Sequence, residues 1–201
     1  MKMKKLGAMK LGVLVAVALA LMVSVPGQAA VRVTSGLVAI YDFGGDQGRS
    51  VKDRSGVEPL MNLRIKDTKS TRRVKGSLDV IGETGIQSEQ TAGKLFNAVQ
   101  KTGAITIEAW VKSANTTQDG PARMVTLSRN ASLRNFTMGQ EKNLFVVRFR
   151  TTKTSENGIP AISTPAGSTK TAVTHVLFTR DRGGRARIYL NGKRAVEKNI
   201  P

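Results

Sequence analysis

Residues Ala104-Ile-Thr-Ile-Glu-Ala-Trp-Val-Lys112 decide the fold. Ile105, Ile107, Ala109 and Val111 fall on one side of an extended chain, and Glu108, Trp110 and Lys112 fall on the other. Successive strand side chains point to opposite faces, so a stretch of this kind lies with one face on a core and the other toward water. The same period of two continues on both sides. C-terminal to it, residues 123–129, 135–139, 144–151, 173–180 and 185–190 read as strands. In 144–151, Phe145, Val147 and Phe149 share the inner face, while Arg148 and Arg150 take the outer one. N-terminal to it, residues 37–43 and 60–65 read as two more.

The turns agree with this pattern. Asn191-Gly192 favours a tight hairpin, because both central residues of that turn need positive φ. Arg182-Gly183-Gly184 joins the two preceding strands in the same way. One helix is expected within residues 88–101, where Ala92, Leu95, Phe96 and Val99 recur at helical spacing. Residues 151–172 read as a long Thr/Ser-rich loop holding a short strand at 159–163. Short strands at even spacing with turn signals between them predict a single all-β sandwich or barrel domain over residues 31–201.

The first thirty residues read differently. Lys2, Lys4, Lys5 and Lys10 precede an apolar run from 11 to 25, which Pro26-Gly27 ends. A basic start, a short apolar helix and small residues at its end describe a secretory signal peptide, residues 1–29. Cleavage after Ala29 or Ala30 is expected, and the product is secreted, periplasmic or displayed at the cell surface. The run is too short for a spanning helix of roughly 20 residues.

The chain has 201 residues with 32 Lys and Arg against 14 Asp and Glu, a formal net charge of +18. Removing the leader takes four lysines and no acids, so +14 belongs to the folded part. Such an excess attracts polyanions. After export the intended partner is a glycan or an extracellular protein, with acidic ligands preferred, rather than nucleic acid, and no membrane span remains. There is no cysteine, which excludes disulfides, thiolate metal sites, cysteine nucleophiles and a lipid anchor on cysteine. A Ser-His-Asp triad would have to use the one histidine, His175, which reads better as a satisfied side chain on a sheet.

Several segments together resemble laminin G-like domains of the concanavalin A-like lectin/glucanase superfamily, as carried by bacterial exported proteins. These are Gly36-Leu-Val-Ala-Ile-Tyr-Asp-Phe43 followed by Asp53-Arg-Ser-Gly56; the strand 104–112; and Thr174-His-Val-Leu-Phe-Thr-Arg-Asp181 followed by Arg187-Ile-Tyr-Leu-Asn-Gly-Lys193. The resemblance implies a jelly-roll sandwich of two curved antiparallel sheets with one short helix. It also implies closing strands beyond the Asn-Gly hairpin, so a chain ending at Pro201 is expected to lack them. It places Asp53 where such domains often hold Ca2+ near the sandwich rim. Calcium takes six to eight oxygens and more than one carboxylate. Asp42 and Asp46 are close in sequence, but Arg49, Lys52 and Arg54 surround them. The other reading of Asp53 is a turn cap.

Glycosidases on this sandwich need paired carboxylates a few ångströms apart, and no strand here carries such a cluster. A non-enzymatic module is therefore expected. Six basic residues lie between Arg64 and Lys75 against one acid, Asp67. Further basic stripes lie on strands, Arg148 with Arg150 and Arg185 with Arg187, and these four are the expected ligand contacts. A solvated outer face is the competing reading for each. Sugar stacking fits less well, because the few aromatic residues sit where they suit a core, and Trp110 is expected to pack at the core or rim. The alternatives are a structural or adhesive envelope protein without a small ligand and, more remotely, a glycan-active enzyme whose catalytic part lies outside this sequence. Sequons at Asn115, Asn130 and Asn135 would mark glycans only in a eukaryotic setting.

Overall fold

The computed structural model describes residues 33–200. The signal peptide reading of residues 1–29 lies outside them. Val33 and Thr34 are exposed, and a separate unit runs from Ser35 onward.

That unit holds thirteen short strands among its described residues: β1 (Ser50–Val51), β2 (Leu63–Ile65), β3 (Thr71–Val74), β4 (Ser77–Val80), β5 (Ile86–Ser88), β6 (Ile105–Val111), β7 (Ala122–Ser128), β8 (Arg134–Glu141), β9 (Leu144–Phe149), β10 (Ile162–Ser163), β11 (Thr174–Arg180), β12 (Arg185–Leu190) and β13 (Lys193–Asn199). One helix, α1 (Gly93–Thr102), connects β5 to β6. Two four-stranded antiparallel sheets dominate, in the orders β10-β9-β8-β7 and β13-β12-β11-β6. A three-stranded sheet, β1-β2-β5, and a ribbon, β3-β4, complete the set.

The predicted inner faces meet. In one sheet Phe178 pairs with Ile107 and Ile188; in the other Met138 pairs with Val147, and Phe136 with Phe149. These residues form one buried cluster with Phe145, Ile162, Val176 and Ala186. The rings of Phe149 and Phe178 lie 6.3 Å apart across the two layers. The fold is therefore the all-β sandwich that the alternation required. The Asn191-Gly192 turn has positive φ at both residues, as its hairpin needs.

Several elements differ from the sequence reading. Residues 37–43 form no strand, because Ile40 bonds to a loop instead of a ladder. Its N–H donates to Asp53 Oδ1, and its carbonyl accepts from the Arg54 N–H. The β3-β4 ribbon lies inside the basic run, where the charges hid its alternation. β13 was hidden likewise, since Ala195 and Val196 are its only apolar residues. The helix starts five residues later than expected, because Ser88 belongs to β5. Leu95 and Val99 pack on the core, and Gly103, at φ +66°, closes the helix.

Candidate functional site

Two irregularities in β7 shape the outer face of the first sheet. The register with β8 shifts between Arg123 and Val125 and again between Leu127 and Ser128. Such bulges re-aim the side chains beside them. Gly139 of β8 permits a close backbone approach here, since a Cβ would sit 2.3 Å from the Ala122 carbonyl oxygen. The preceding loop is tied down by Gln140, whose Nε2 donates to the carbonyls of Asn115 (2.7 Å) and Lys142 (2.8 Å). The turn after β7 is capped by Asn130, whose Oδ1 accepts from the N–H groups of Ser132 and Leu133, both at 2.8 Å.

Between that loop and that turn lies a cavity of about 420 Å³ lined by Asp119, Gly120, Pro121, Arg123, Ala131, Arg134 and Arg148. Three guanidinium groups converge on it, and neutral atoms hold all three. Arg123 donates to Ser128 Oγ and to the Asn130 carbonyl, both at 3.0 Å. Arg134 donates to Thr137 Oγ1 at 3.1 Å and to the Ala131 carbonyl. Arg148 donates to Asn157 Oδ1 at 3.3 Å. Among the described residues none of the three forms an ion pair, although Asp119 lines the same cavity. Arg134 is only 4% exposed. Burial, and then the charges of Arg148 and Arg123, lower its pKa. Nε of Arg134 and Nε of Arg148 are buried without a hydrogen-bond partner among the described residues. Buried unpaired donors are rare and costly. An anion with several oxygens would satisfy both and relieve the mutual repulsion.

The expected contact residues fall into different settings. Arg148 enters this cavity. Arg150, beyond the strand end, pairs with Glu156 at 3.2 Å. Arg187 bonds Glu197 at 2.8 Å, as does Arg194 at 2.9 Å, and Arg185 lies 3.9 Å from the same carboxylate. The Arg187 hydrogen bond, with the charges around it, holds Glu197 below the usual carboxylate range. Replacing it, Glu197→Gln, is expected to strengthen retention on an anionic resin while hardly moving the urea midpoint, because Arg185, Arg194 and Glu197 are well exposed. Within the basic run, Arg64 pairs with Glu89 and Arg72 with Asp79, both at 2.8 Å, and Arg73 donates to the carbonyls of Gly48 and Ser50.

Asp53 acts as a cap. One carboxylate oxygen accepts from the N–H groups of Ile40 (3.2 Å) and Ser55 (3.0 Å); the other accepts from the Met61 N–H (3.0 Å) and Lys94 Nζ (2.6 Å). Burial pushes its pKa up, but Lys94, Met61 and Ser55 outweigh this and hold the carboxyl well below its usual range. Four donors thus occupy the oxygens that a cation would need. Among the described residues no three His, Asp or Glu side chains are grouped to hold a metal. Trp110 corrects the packing expectation: it is 58% exposed, on the outer face of the second sheet. His175 bonds Glu108 across the strands at 2.9 Å.

Arg123 and Arg134 went unnoticed in the sequence. One signal was present for Arg134. In Arg134-x-Phe136-x-Met138 a charged residue shares the parity of two core residues.

These features define a two-sheet antiparallel sandwich whose outer face presents an arginine-lined cavity. The chain belongs to the concanavalin A-like lectin/glucanases superfamily, whose laminin G-type sequence model matches residues 85–201. Among solved structures it is similar to the binding domain of botulinum neurotoxin serotype D/C, at 15% identity and a TM-score of 0.60, covering 84% of this chain and 40% of that one. A neurotoxin DC binding domain in complex with rat synaptotagmin II matches at 15% identity, TM-score 0.60, covering 84% and 41%. So does botulinum neurotoxin type C, whose route into cells depends on two ganglioside molecules, at 14% identity, TM-score 0.58, covering 84% and 39%. The chain thus spans about two fifths of the solved chains it resembles, and the likeness is one of fold. A sequence search of curated proteins finds no match.

Proposed function

We propose that this protein is a non-enzymatic binding module that acts after export and recognises an acidic glycan, or an acidic protein surface, through the cavity between β7, β8 and β9. The observation that carries this reading is the convergence of Arg123, Arg134 and Arg148 without a carboxylate pairing any of them among the described residues. Arginine meets sulfate, phosphate and carboxylate through paired N–H donors, which suits a branched or repeating anionic ligand. The fold supports a binding role, since similar solved domains include partners of ganglioside and of synaptotagmin II. Elsewhere several acids are matched with bases: Asp42 and Asp46 with Arg54, Asp53 with Lys94, Glu108 with His175. The basic surplus of +14 outside the leader adds long-range attraction that salt screens.

The test is binding of a sulfated oligosaccharide, with retention on a heparin resin as the coarse measure. Arg123→Gln or Arg148→Gln is expected to weaken affinity roughly tenfold each, the scale of one charge-assisted hydrogen bond. The double change Arg185→Gln/Arg187→Gln removes twice the charge of either, from the opposite sheet, and is expected to change affinity less than twofold. Equal losses from both sets would mean bulk charge alone binds the resin, and the cavity reading would fall.

A further inference from the structure

The arginine cavity is not lined by bases alone. Asp119 forms part of its wall, and it arrives there on a pinned segment. The Lys142 N–H donates to the Gln118 carbonyl at 2.6 Å, and Gln140 Nε2 holds the Asn115 carbonyl at 2.7 Å. Gly120, next in the chain, lies so close to β8 that a Cβ there would collide with the Gln140 carbonyl oxygen. The loop thus sets Asp119 at a fixed place beside three guanidinium groups. Even so, its carboxylate makes no hydrogen bond or ion pair among the described residues. Other acids of this chain do sit on neighbouring arginines, as Asp42 does on Arg54, Glu89 on Arg64 and Asp79 on Arg72, each at 2.8 Å. A carboxylate kept apart from three arginines in one cavity leaves room for a group that bonds to both.

Such a group must accept on one side and donate on the other. On the basic side, Nε of Arg134 and Nε of Arg148 are buried without partners among the described residues. With Arg123 they come from three adjacent strands, β7, β8 and β9, so acceptor oxygens are needed in more than one plane. A carboxylate ligand offers two oxygens in a single plane, whereas a tetrahedral ester offers three spread apart. On the acidic side, a carboxylate accepts hydrogen bonds and donates none. A sulfate ester has no proton to give and is repelled there. A phosphate monoester loses its second proton near pH 6, so in mild acid it keeps one P–OH to donate.

We infer that the cavity selects a phosphomonoester carried on a glycan and binds it in its monohydrogen form. Asp119 accepts the P–OH, and Arg123, Arg134 and Arg148 hold the remaining oxygens. This selectivity rests on the anion-binding reading of the cavity and narrows it to one kind of acidic group. The charged groups that face the phosphate are the three arginines, from β7, β8 and β9, and Asp119, from the loop before β7. Nearby, Glu141 borders Gly120 through its backbone, and Glu156 is paired with Arg150. The chain's one histidine, His175, is on the other sheet. The group at this site that titrates between pH 5.5 and 7.5 is therefore the ligand's own.

The experiment is calorimetry with N-acetylglucosamine 6-phosphate and N-acetylglucosamine 6-sulfate at pH 5.5 and 7.5. The phosphate ester is expected to bind roughly tenfold more tightly at pH 5.5 than at pH 7.5, because its second pKa is near 6. It should also bind more tightly than the sulfate ester at pH 5.5, and the sulfate ester should hardly respond to pH. Asp119→Asn is expected to abolish the pH response and to bring the two esters to similar affinities, since an amide can donate as well as accept. Its urea midpoint should match the parent's, because Asp119 is exposed. Arg148→Gln should weaken both esters alike. Equal affinities of the two esters for the parent would overturn the selectivity while leaving the anion site standing. A phosphate affinity that falls on acidification, as a bound dianion requires, would do the same, as would an Asp119→Asn variant that keeps both the preference and the pH response. Binding of neither ester, or binding that Arg148→Gln leaves untouched, would remove the site itself and the selectivity with it.

Discussion

Asp53→Ala is expected to lower the unfolding free energy by about 3–5 kcal/mol, the cost of stripping one partner from a buried ion pair. The pair lies deep, with Asp53 0% and Lys94 8% exposed at the side chain. The substitution leaves the Lys94 ammonium facing only the Val57 carbonyl, at 2.7 Å, and frees the N–H groups of Ile40, Ser55 and Met61. It therefore unties three segments at once: residues 37–43, the loop around Ser55, and the first turn of α1. Lys94→Met is expected to cost less, because the carboxylate keeps its three backbone donors. The effect depends on pH with a definite sign. The folded carboxyl titrates below its unfolded value of about 3.9, so its contribution is complete above that value and fades as pH falls through and below it. Urea midpoints at pH 7 and pH 3 should differ more for the parent than for Asp53→Ala. A midpoint at pH 7 that does not move on substitution would refute the role.

That network also marks how far the sequence could be read. Asp53 as a turn cap follows from Asp-Arg-Ser-Gly, because the short side chain reaches the N–H two residues on, as it does to Ser55. Its partner Lys94 is 41 residues away, and no local rule joins the two. The two large sheets were legible because burial imposes period two on Ile105, Ile107, Phe145, Val147 and Phe149. Residues 37–43 carry the same apolar signal, yet they bond to a side chain and a loop, since pattern records burial and not the hydrogen-bond partner. The site was less legible. Arg148 was visible as an outward strand residue. Its convergence with Arg123 and Arg134 depends on two register shifts in β7, which the sequence does not announce. Arg185 and Arg187 looked equivalent to it until β13 brought Glu197 alongside.

Arg134→Met separates stability from binding, because the two should move in opposite directions. Arg134 is buried with neutral partners only, and two further guanidiniums repel it. Methionine fills a similar volume without the charge. It gives up the bonds to the Ala131 carbonyl and to Thr137 Oγ1, but Thr137 keeps the Thr126 hydroxyl at 2.7 Å. Removing a poorly compensated buried charge is expected to raise the unfolding free energy of the ligand-free protein by about 1 kcal/mol. Binding should fall about 100-fold, since the anion loses its most desolvated donor. Linkage makes both effects visible in one assay. A sulfated oligosaccharide at 100 times the parent Kd stabilises the parent by about 2.7 kcal/mol. The same concentration should stabilise the variant by only about 0.4 kcal/mol. Urea unfolding with and without the oligosaccharide therefore yields two curves that cross over between parent and variant. A variant that is less stable when free and still gains the full increment from the ligand would show Arg134 to be a structural strut. The anion would then have to be held elsewhere. The crossover is what a preorganised site requires, because arginines that stabilised the empty fold would gain little from meeting an anion.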